Sequence, residues 1–309
     1  MTTELASVLE QYALTEKDPI VPLRESDDNQ VFRVGTTEQA ILRISKRLSK
    51  EDVRFEYEAI RILREKGLPV APWIVTKNND LYALSGESVA VLFGLLPGSP
   101  ADKRDDHPAI QSRASQAGMM LRRIHEGGEG LDPALTRNRT IFTELERALS
   151  LQEIFVKEFE GGEDFMRQVR GAVEFGKQWT GPVTLIHNDF RISNILFNEQ
   201  NVLTGVVDFD WSCRGPWIKD LALALVEWSF PDGASQEDEL IFDAFLSGYA
   251  QMNGPAIERG KMLADWIAFA TLSEACTYFC DLAQDPSSSK RVIKSYMYRK
   301  YQYFKEKYA

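Results

Sequence analysis

The chain has 309 residues, 44% of them hydrophobic and 27% charged, the profile of a soluble globular protein long enough for one large domain or two lobes. A net charge of −10 and a pI of about 5.0 exclude net attraction to a polyanion such as duplex DNA. No apolar run reaches bilayer length, and three cysteines without a basic-then-apolar leader make no disulfide scaffold. The expectation is a reduced, cytoplasmic protein with no membrane or nucleic-acid partner.

The first part predicts strands around one helix. "DPIVPLRES", "NQVFRVG" and "QAILRIS" are short β-like runs separated by polar turns. "SKEDVRFEYEAIRILREKG" then predicts a helix, with Ser49 as N-cap, acids in the first turn and Gly67 as the stop. "LPVAPW" breaks the chain, and "DLYALSG" and "SVAVLFGLLPG" predict two more strands.

Beyond Gly98 the pattern turns helical. "HPAIQSRASQAGMMLRRIHEGG" aligns Ile110, Ala114, Ala117, Leu121 and Ile124 on one stripe. Residues 140–180 predict two amphipathic helices broken at Gly161–Gly162. From Pro216 onward the chain reads as helical except for turns at "PDGAS", "NGP" and "DPSSS". Cys276 and Cys280 share a helix face with no further ligand at zinc spacing, so they are small core residues. The basic, tyrosine-rich C-terminus predicts an amphipathic helix docking through Val292 and Tyr296, its lysines in water. The whole is an α+β chain: a β-rich first lobe over residues 1–97, a hinge near residues 93–98 and a larger helical lobe over residues 98–309.

Chemistry concentrates in "TLIHNDFRISNILFN", where His187, Asn188, Asp189, Arg191 and Asn194 stand between two apolar runs. "NILFN" and "LTGVVDF", separated by "EQNV", form a plausible hairpin that carries Asn194 and Asp208 together at its open end. Asp189, Asn194 and Asp208 then offer hard oxygen atoms without a cage of their own. That suits Mg²⁺, which completes its shell with water and phosphate. Taken singly, such Asp and Asn residues are ordinary turn formers; the ordered set favours function.

The order His187, Asp189, Asn194 and a later Asp208 resembles the catalytic core of the protein-kinase-like superfamily. "HNDFRISNILF" is similar to the "HGDxxxxNxLF" loop of the aminoglycoside phosphotransferase and choline kinase branch, and "GVVDFDWSCRGPWIKDLA" to its "GxIDFxxAxxGPxxxDLA". The resemblance implies a bilobal kinase-like fold, ATP as phosphate donor, and transfer to a hydroxyl of a small metabolite. It implies that Asp189 is the catalytic base and that Asn194 and Asp208 hold magnesium. Arg43, in "ILRIS", takes the place of the phosphate-facing basic residue, with Glu56 as its partner on the following helix. The alternative for Arg43 is a solvent-facing edge and a weak surface ion pair. "VLFGLLPG" is similar to the interlobe hinge, which implies adenine contacts near Phe93 and Leu95.

One departure is the glycine-poor loop "RESDDNQVFRV", where Asp27 and Asp28 would repel phosphate. Asp210 reads either as a second metal contact or as a solvated acid, Asp220 as an N-cap or a brace for the loop, and His187 as a prop. For the acceptor pocket the candidates are Glu227, Trp228, Asp265, Trp266 and Glu274, although aromatic residues at helical spacing are more often core. "GPWIKDLALALVEW" and "FLSGYAQ" also resemble type-II homoserine kinases, implying an amino-alcohol acceptor such as homoserine or choline. Aminoglycoside or ketosamine kinases, and a catalytically weak nucleotide-binding regulator, remain as alternatives. A protein kinase is disfavoured, because Gly215–Pro216 leads almost directly from Asp208 into a helix.

Overall fold

Alternating apolar residues in the first hundred positions build an antiparallel sheet. The computed structural model describes residues 3–14, 18–25, 29–35, 39–102, 106–230, 234–251, 257–285, 287–292 and 295–307. Helix Thr3–Gln11 (α1) precedes strands Ile20–Glu25 (β1), Asn29–Val34 (β2) and Ala40–Ser45 (β3). Helix Lys50–Glu65 (α2) follows, then strands Trp73–Ile74 (β4), Ala83–Ser85 (β5) and Ser88–Gly94 (β6). All pairings are antiparallel, in the order β1-β2-β3-β6-β4, with β5 also on β6.

Because β3 is interior, both of its faces are covered. Leu42 and Ile44 pack with Val8, Leu9 and Tyr12 of the α1 segment. Ile41 and Arg43 point to the opposite face, by the two-residue period of a strand. Helix α2 starts with the expected Ser49, and Asp52 completes a capping box: each backbone N–H donates to the other's side chain at 3.1 Å. Gly67 follows the helix with φ +72°.

The second part contains strand Ser99–Pro100 (β7) and helices His107–Gly127 (α3), Thr143–Ser150 (α4), Gln152–Glu158 (α5) and Gly162–Lys177 (α6). Four strands follow: Val183–Ile186 (β8), Ile195–Phe197 (β9), Leu203–Val206 (β10) and Cys213–Pro216 (β11). Helices Trp217–Ser229 (α7), Glu239–Ala250 (α8), Lys261–Gln284 (α9) and Tyr296–Lys307 (α10) complete the chain. One core unites Phe55 and Leu63 of α2 and Phe93 of β6 with Ile124 of α3 and Phe197 of β9. The β-rich and helical parts therefore share buried surface.

Several expectations change. α1 was not anticipated. Residues 140–180 hold three helices rather than two, because the chain also breaks at Leu151. Cys213–Pro216 forms an unexpected strand on β8, and α7 follows directly from Pro216 as expected. Val292, Tyr298, Tyr301 and Phe304 bury the C-terminal segment as expected, but Lys300 is buried with them rather than solvated. The turns expected at "PDGAS" and "NGP" fall mainly outside the described residues, as do Asp27 and Asp28.

The hinge is pinned to the β9–β10 hairpin. Thr204 Oγ1 donates to Pro97 O at 2.6 Å, and Gly98, at φ +98°, approaches so closely that a Cβ would meet Phe197 O at 2.6 Å. Gly98→Ala should therefore lower stability by about 1–3 kcal/mol, since both the backbone angle and a rigid carbonyl oppose the methyl group. Urea unfolding measures it, and an unchanged midpoint would contradict this packing.

Candidate active site

Strand β8 delivers His187, and the chain then turns sharply through Asn188 at φ +64°. The turn is held by Asp220 of α7, which accepts the N–H groups of His187 at 2.7 Å and Asn188 at 2.8 Å. His125 Nε2 of α3 lies 3.0 Å from the same carboxylate. Asp220 thus braces the loop and does not cap its helix. His187 props the loop from within, its Nε2 lying 3.0 Å from Val207 O.

A 3-10 turn, Ile192–Asn194, brings Asn194 back over Asp189. Asn194 Nδ2 donates to Asp189 Oδ2 at 3.0 Å and to Asp189 O at 2.9 Å. Arg191 Nε takes the other carboxylate oxygen at 2.6 Å. The hairpin forms as expected: β9 pairs β10 antiparallel, with Val206 opposite Ile195, and Val207 N–H donates to Asn194 O at 3.0 Å. Asp208 comes next, at φ +69°, beside Asn194.

Across the cleft, Arg43 of β3 meets Glu56 of α2 through two bonds of 2.6 and 3.1 Å. Neither is a surface residue: Arg43 is 4% exposed and Glu56 0%. The solvent-edge alternative fails because β3 is an interior strand and α2 covers that face. Arg43 Nη1 also lies 3.8 Å from Asp208 Oδ1. Asp210 is buried too, not solvated; Asn29 Nδ2 donates to its Oδ2 at 3.0 Å, while Oδ1 has no hydrogen-bond partner.

These carboxylates are crowded. Burial pushes the Asp208 carboxyl well above the usual range, and Asp210 and Asp189 add to it while Arg43 opposes. Burial also raises Asp189 against the pull of Arg191. Such a group of acids, one with an unpartnered buried oxygen, fits a bound cation. Among the described residues no three His, Cys, Asp or Glu side chains form a metal cluster. A hard ion here would rely on the Asp208 and Asn194 oxygens plus ligands from outside the chain.

The loop separates two cavities. The first, about 460 Å³, runs between the sheet and the hairpin. Val31, Ile41, Phe93, Leu95 and Leu196 line it, and Arg43, Glu56, Asn194 and Asp208 form its polar end. Phe93 and Leu95 are both present as expected; Leu95 N–H is committed to Gln39 O at 3.2 Å. The second cavity, about 800 Å³, opens beyond Asp189 and includes Arg191, Trp211, Lys219, Glu274 and Asp281.

Of the acceptor candidates only Glu274 lines this second cavity. Glu227 lies behind it, 2.6 Å from Lys300 Nζ, which also reaches Glu274 at 3.0 Å. Trp228 is core, packed on Phe245. Asp265 pairs with Lys261 at 2.8 Å and Trp266 packs on Phe175, both away from the Asp189 cavity. Lys219 and Lys300 were not singled out from sequence, and Arg191 was named there only as one of the loop's polar residues, with no role.

A model of the phosphotransferase enzyme family (APH) matches residues 19–255. The chain belongs to this family. As an APH phosphotransferase it is a small-molecule kinase, with a hydroxyl group as acceptor. Homoserine kinase of Neisseria meningitidis serogroup B is 24% identical over 250 residues, covering 80% of this chain and 78% of that one. Among solved structures, amicoumacin kinase in complex with AMP-PNP, Ca2+ and Ami superposes with a TM-score of 0.71 at 16% identity, over 93% of this chain and 88% of that one. A microcompartment-associated aminopropanol kinase superposes with a TM-score of 0.66 at 17% identity, over 98% and 94%. The bilobal kinase-like architecture is common to both. No described helix of this phosphotransferase is long and apolar enough to cross a membrane.

The acid pair at the second cavity, Glu274 on its wall and Glu227 behind it, has a measurable signature. Burial and the neighbouring Glu227 push the Glu274 carboxyl from 4.5 up to about 7. Glu227 is pulled below its ordinary value because Lys300 and Arg191 outweigh its burial. A raised pKa stabilises the folded state fully below pH 4.5 and loses that contribution as pH climbs to about 7. Glu274→Gln stays neutral, so its melting temperature should gain on the wild type between those pH values and level off above. A difference independent of pH would contradict the raised Glu274 carboxyl.

Proposed function

We propose that this phosphotransferase moves the terminal phosphoryl group of ATP, with Mg²⁺, to the hydroxyl of a small amino-alcohol such as homoserine or choline. The observation that carries the reading is the meeting of Asp189, Asn194 and Asp208 where an apolar cleft adjoins a polar cavity. Residues 1–97 would supply the nucleotide lobe and residues 98–309 the catalytic loop and acceptor pocket. Names of the relatives, homoserine kinase and aminopropanol kinase, support an acceptor of this kind.

In this reading Phe93 and Leu95 cover the base in the apolar cleft. Arg43, aimed by Glu56, offers a planar guanidinium to phosphate oxygens. Asn194 and Asp208 hold the metal, which supplies charge compensation for the developing transition state. Asp189 orients the acceptor hydroxyl and receives its proton. Its raised affinity for a proton, caused by burial, suits that task. Arg191 and Asn194 keep the carboxylate in one orientation, so that alignment supplies most of the rate.

Asp189→Asn should lower kcat by roughly 10²–10⁴-fold while nucleotide affinity is largely kept. Steady-state kinetics with calorimetry separates the two, and a wild-type rate would remove Asp189 from the mechanism. Asp208→Ala should abolish the magnesium-dependent part of ATP binding. Equal affinities with and without the metal in wild type and variant alike would refute the ligand assignment.

A further inference from the structure

The polar cavity beyond Asp189 is rich in acids, yet each of them already lies against a cation of the chain, with Arg147 serving two. Asp189 is held by Arg191 at 2.6 Å and Glu274 by Lys300 at 3.0 Å. At the rim, Arg147 reaches Asp281 at 2.6 Å and Glu144 at 3.4 Å. Those are all four acids of the cavity wall. The remaining charge in that wall is Lys219.

Lys219 sits on α7 immediately before Asp220, so the brace that holds the loop also fixes its position. It is 4% exposed, and its Nζ donates to the side-chain oxygen of Asn188, a neutral group. No carboxylate lies within ion-pair distance of it among the described residues. Burial pulls its ammonium below the ordinary lysine value, with Asp220, Asp189 and Glu274 acting against that pull. A buried ammonium with only an amide for a partner is costly, and an incoming anion would complete it. Asn188 contributes to the design as well: its Nδ2 is tied to Trp211 O at 3.1 Å, which turns its oxygen toward Lys219.

Resting on the kinase reading above, we infer that Lys219 is a specificity-determining residue that binds a carboxylate of the acceptor, so that the substrate is a hydroxy amino acid rather than a simple amino-alcohol or a polyamine sugar. A polycationic acceptor would find its acidic partners already occupied and Lys219 repelling it. A zwitterion brings a carboxylate that Lys219, bonded only to the Asn188 amide oxygen, can pair with.

The comparison uses L-homoserine and 3-aminopropan-1-ol, which share chain, amine and hydroxyl and differ by the carboxylate. Wild-type kcat/KM should favour L-homoserine, and Lys219→Met should shrink that preference by about 10–100-fold, chiefly through KM. Lys219→Arg should restore part of it. Equal or reversed preference in the wild type, or an unchanged ratio in Lys219→Met, overturns the inference. Binding of L-2-aminobutyrate, which has no hydroxyl, is measured by calorimetry with Mg²⁺ and AMP-PNP present. Binding to the wild type but not to Lys219→Met supports the carboxylate site, and no binding to the wild type overturns it. If neither alcohol is phosphorylated, the amino-alcohol reading fails while the calorimetry still decides the role of Lys219.

Discussion

Asp220 has no exposed surface, and burial alone would drive its carboxyl toward the neutral form. It is instead held below the ordinary carboxylate value by His125, with His187 and Lys219 adding to the effect. Two backbone N–H groups of the loop donate to it as well. Charge-assisted bonds in a dry site are strong and directional, so this anion fixes the loop as a rigid body. The same residue ties together α3, through His125, and α8, through the 2.7 Å contact of His125 with Tyr249. Asp189, Asn188 and Lys219 all take their positions from it. Had the carboxylate been replaced by an apolar group, two buried amides would lack acceptors, and the turn at Asn188 would have nothing to hold its left-handed backbone.

A second constraint runs the other way. Where Asp220 is saturated with donors, Asp208 and Asp210 are short of them. Arg43 is divided between Glu56 at 2.6 Å and Asp208 at 3.8 Å, so the guanidinium belongs mainly to the glutamate. The Asp208 side chain keeps 32% of its surface exposed, facing the cleft. The aspartates thus differ in how far the chain itself satisfies them. One is satisfied inside the chain and bears load, while others are left to be satisfied from outside. Repulsion among Asp189, Asp208 and Asp210 is tolerated because the surrounding core of β8, β9 and α7 holds them.

How much of this was legible in the sequence depends on the range of the interactions. Asp189 and Asn194 are joined by one 3-10 turn, and Asn194 and Asp208 by one hairpin, so spacing and turn residues were enough to bring them together. The Ser49 cap and the Gly67 stop were equally local. α1 was missed although Leu5, Val8, Leu9 and Tyr12 carry helical spacing; its reason for folding is the far face of the sheet, which no neighbouring residue announces. The break at Leu151 lacks a glycine or proline, and two short helices on either side read as one. Asp265 and Trp266 misled because α9 is apolar on several faces, leaving no pattern to say which one meets the Asp189 cavity. Lys300 offered no signal at all. Its burial depends on two glutamates from α7 and α9, distant along the chain.

That division has a consequence for how the enzyme is built. The groups to which phosphoryl transfer is assigned on the proposed reading lie within one stretch of loop and hairpin, so their geometry is set locally. The helical part of the second cavity's wall comes from α4, α7 and α9, with the C-terminal helix behind Glu274. Each of those helices buries apolar residues in the shared core, and Glu144, Glu274 and Asp281 bond to cations outside the loop. Lys219 is the exception, since it adjoins Asp220 and contacts Asn188 within the braced unit. A cation there is held by the braced loop itself, whereas one from α10 depends on how that helix docks. On the proposed reading, selectivity for charge meets catalysis at Lys219, where the cavity wall adjoins the braced loop.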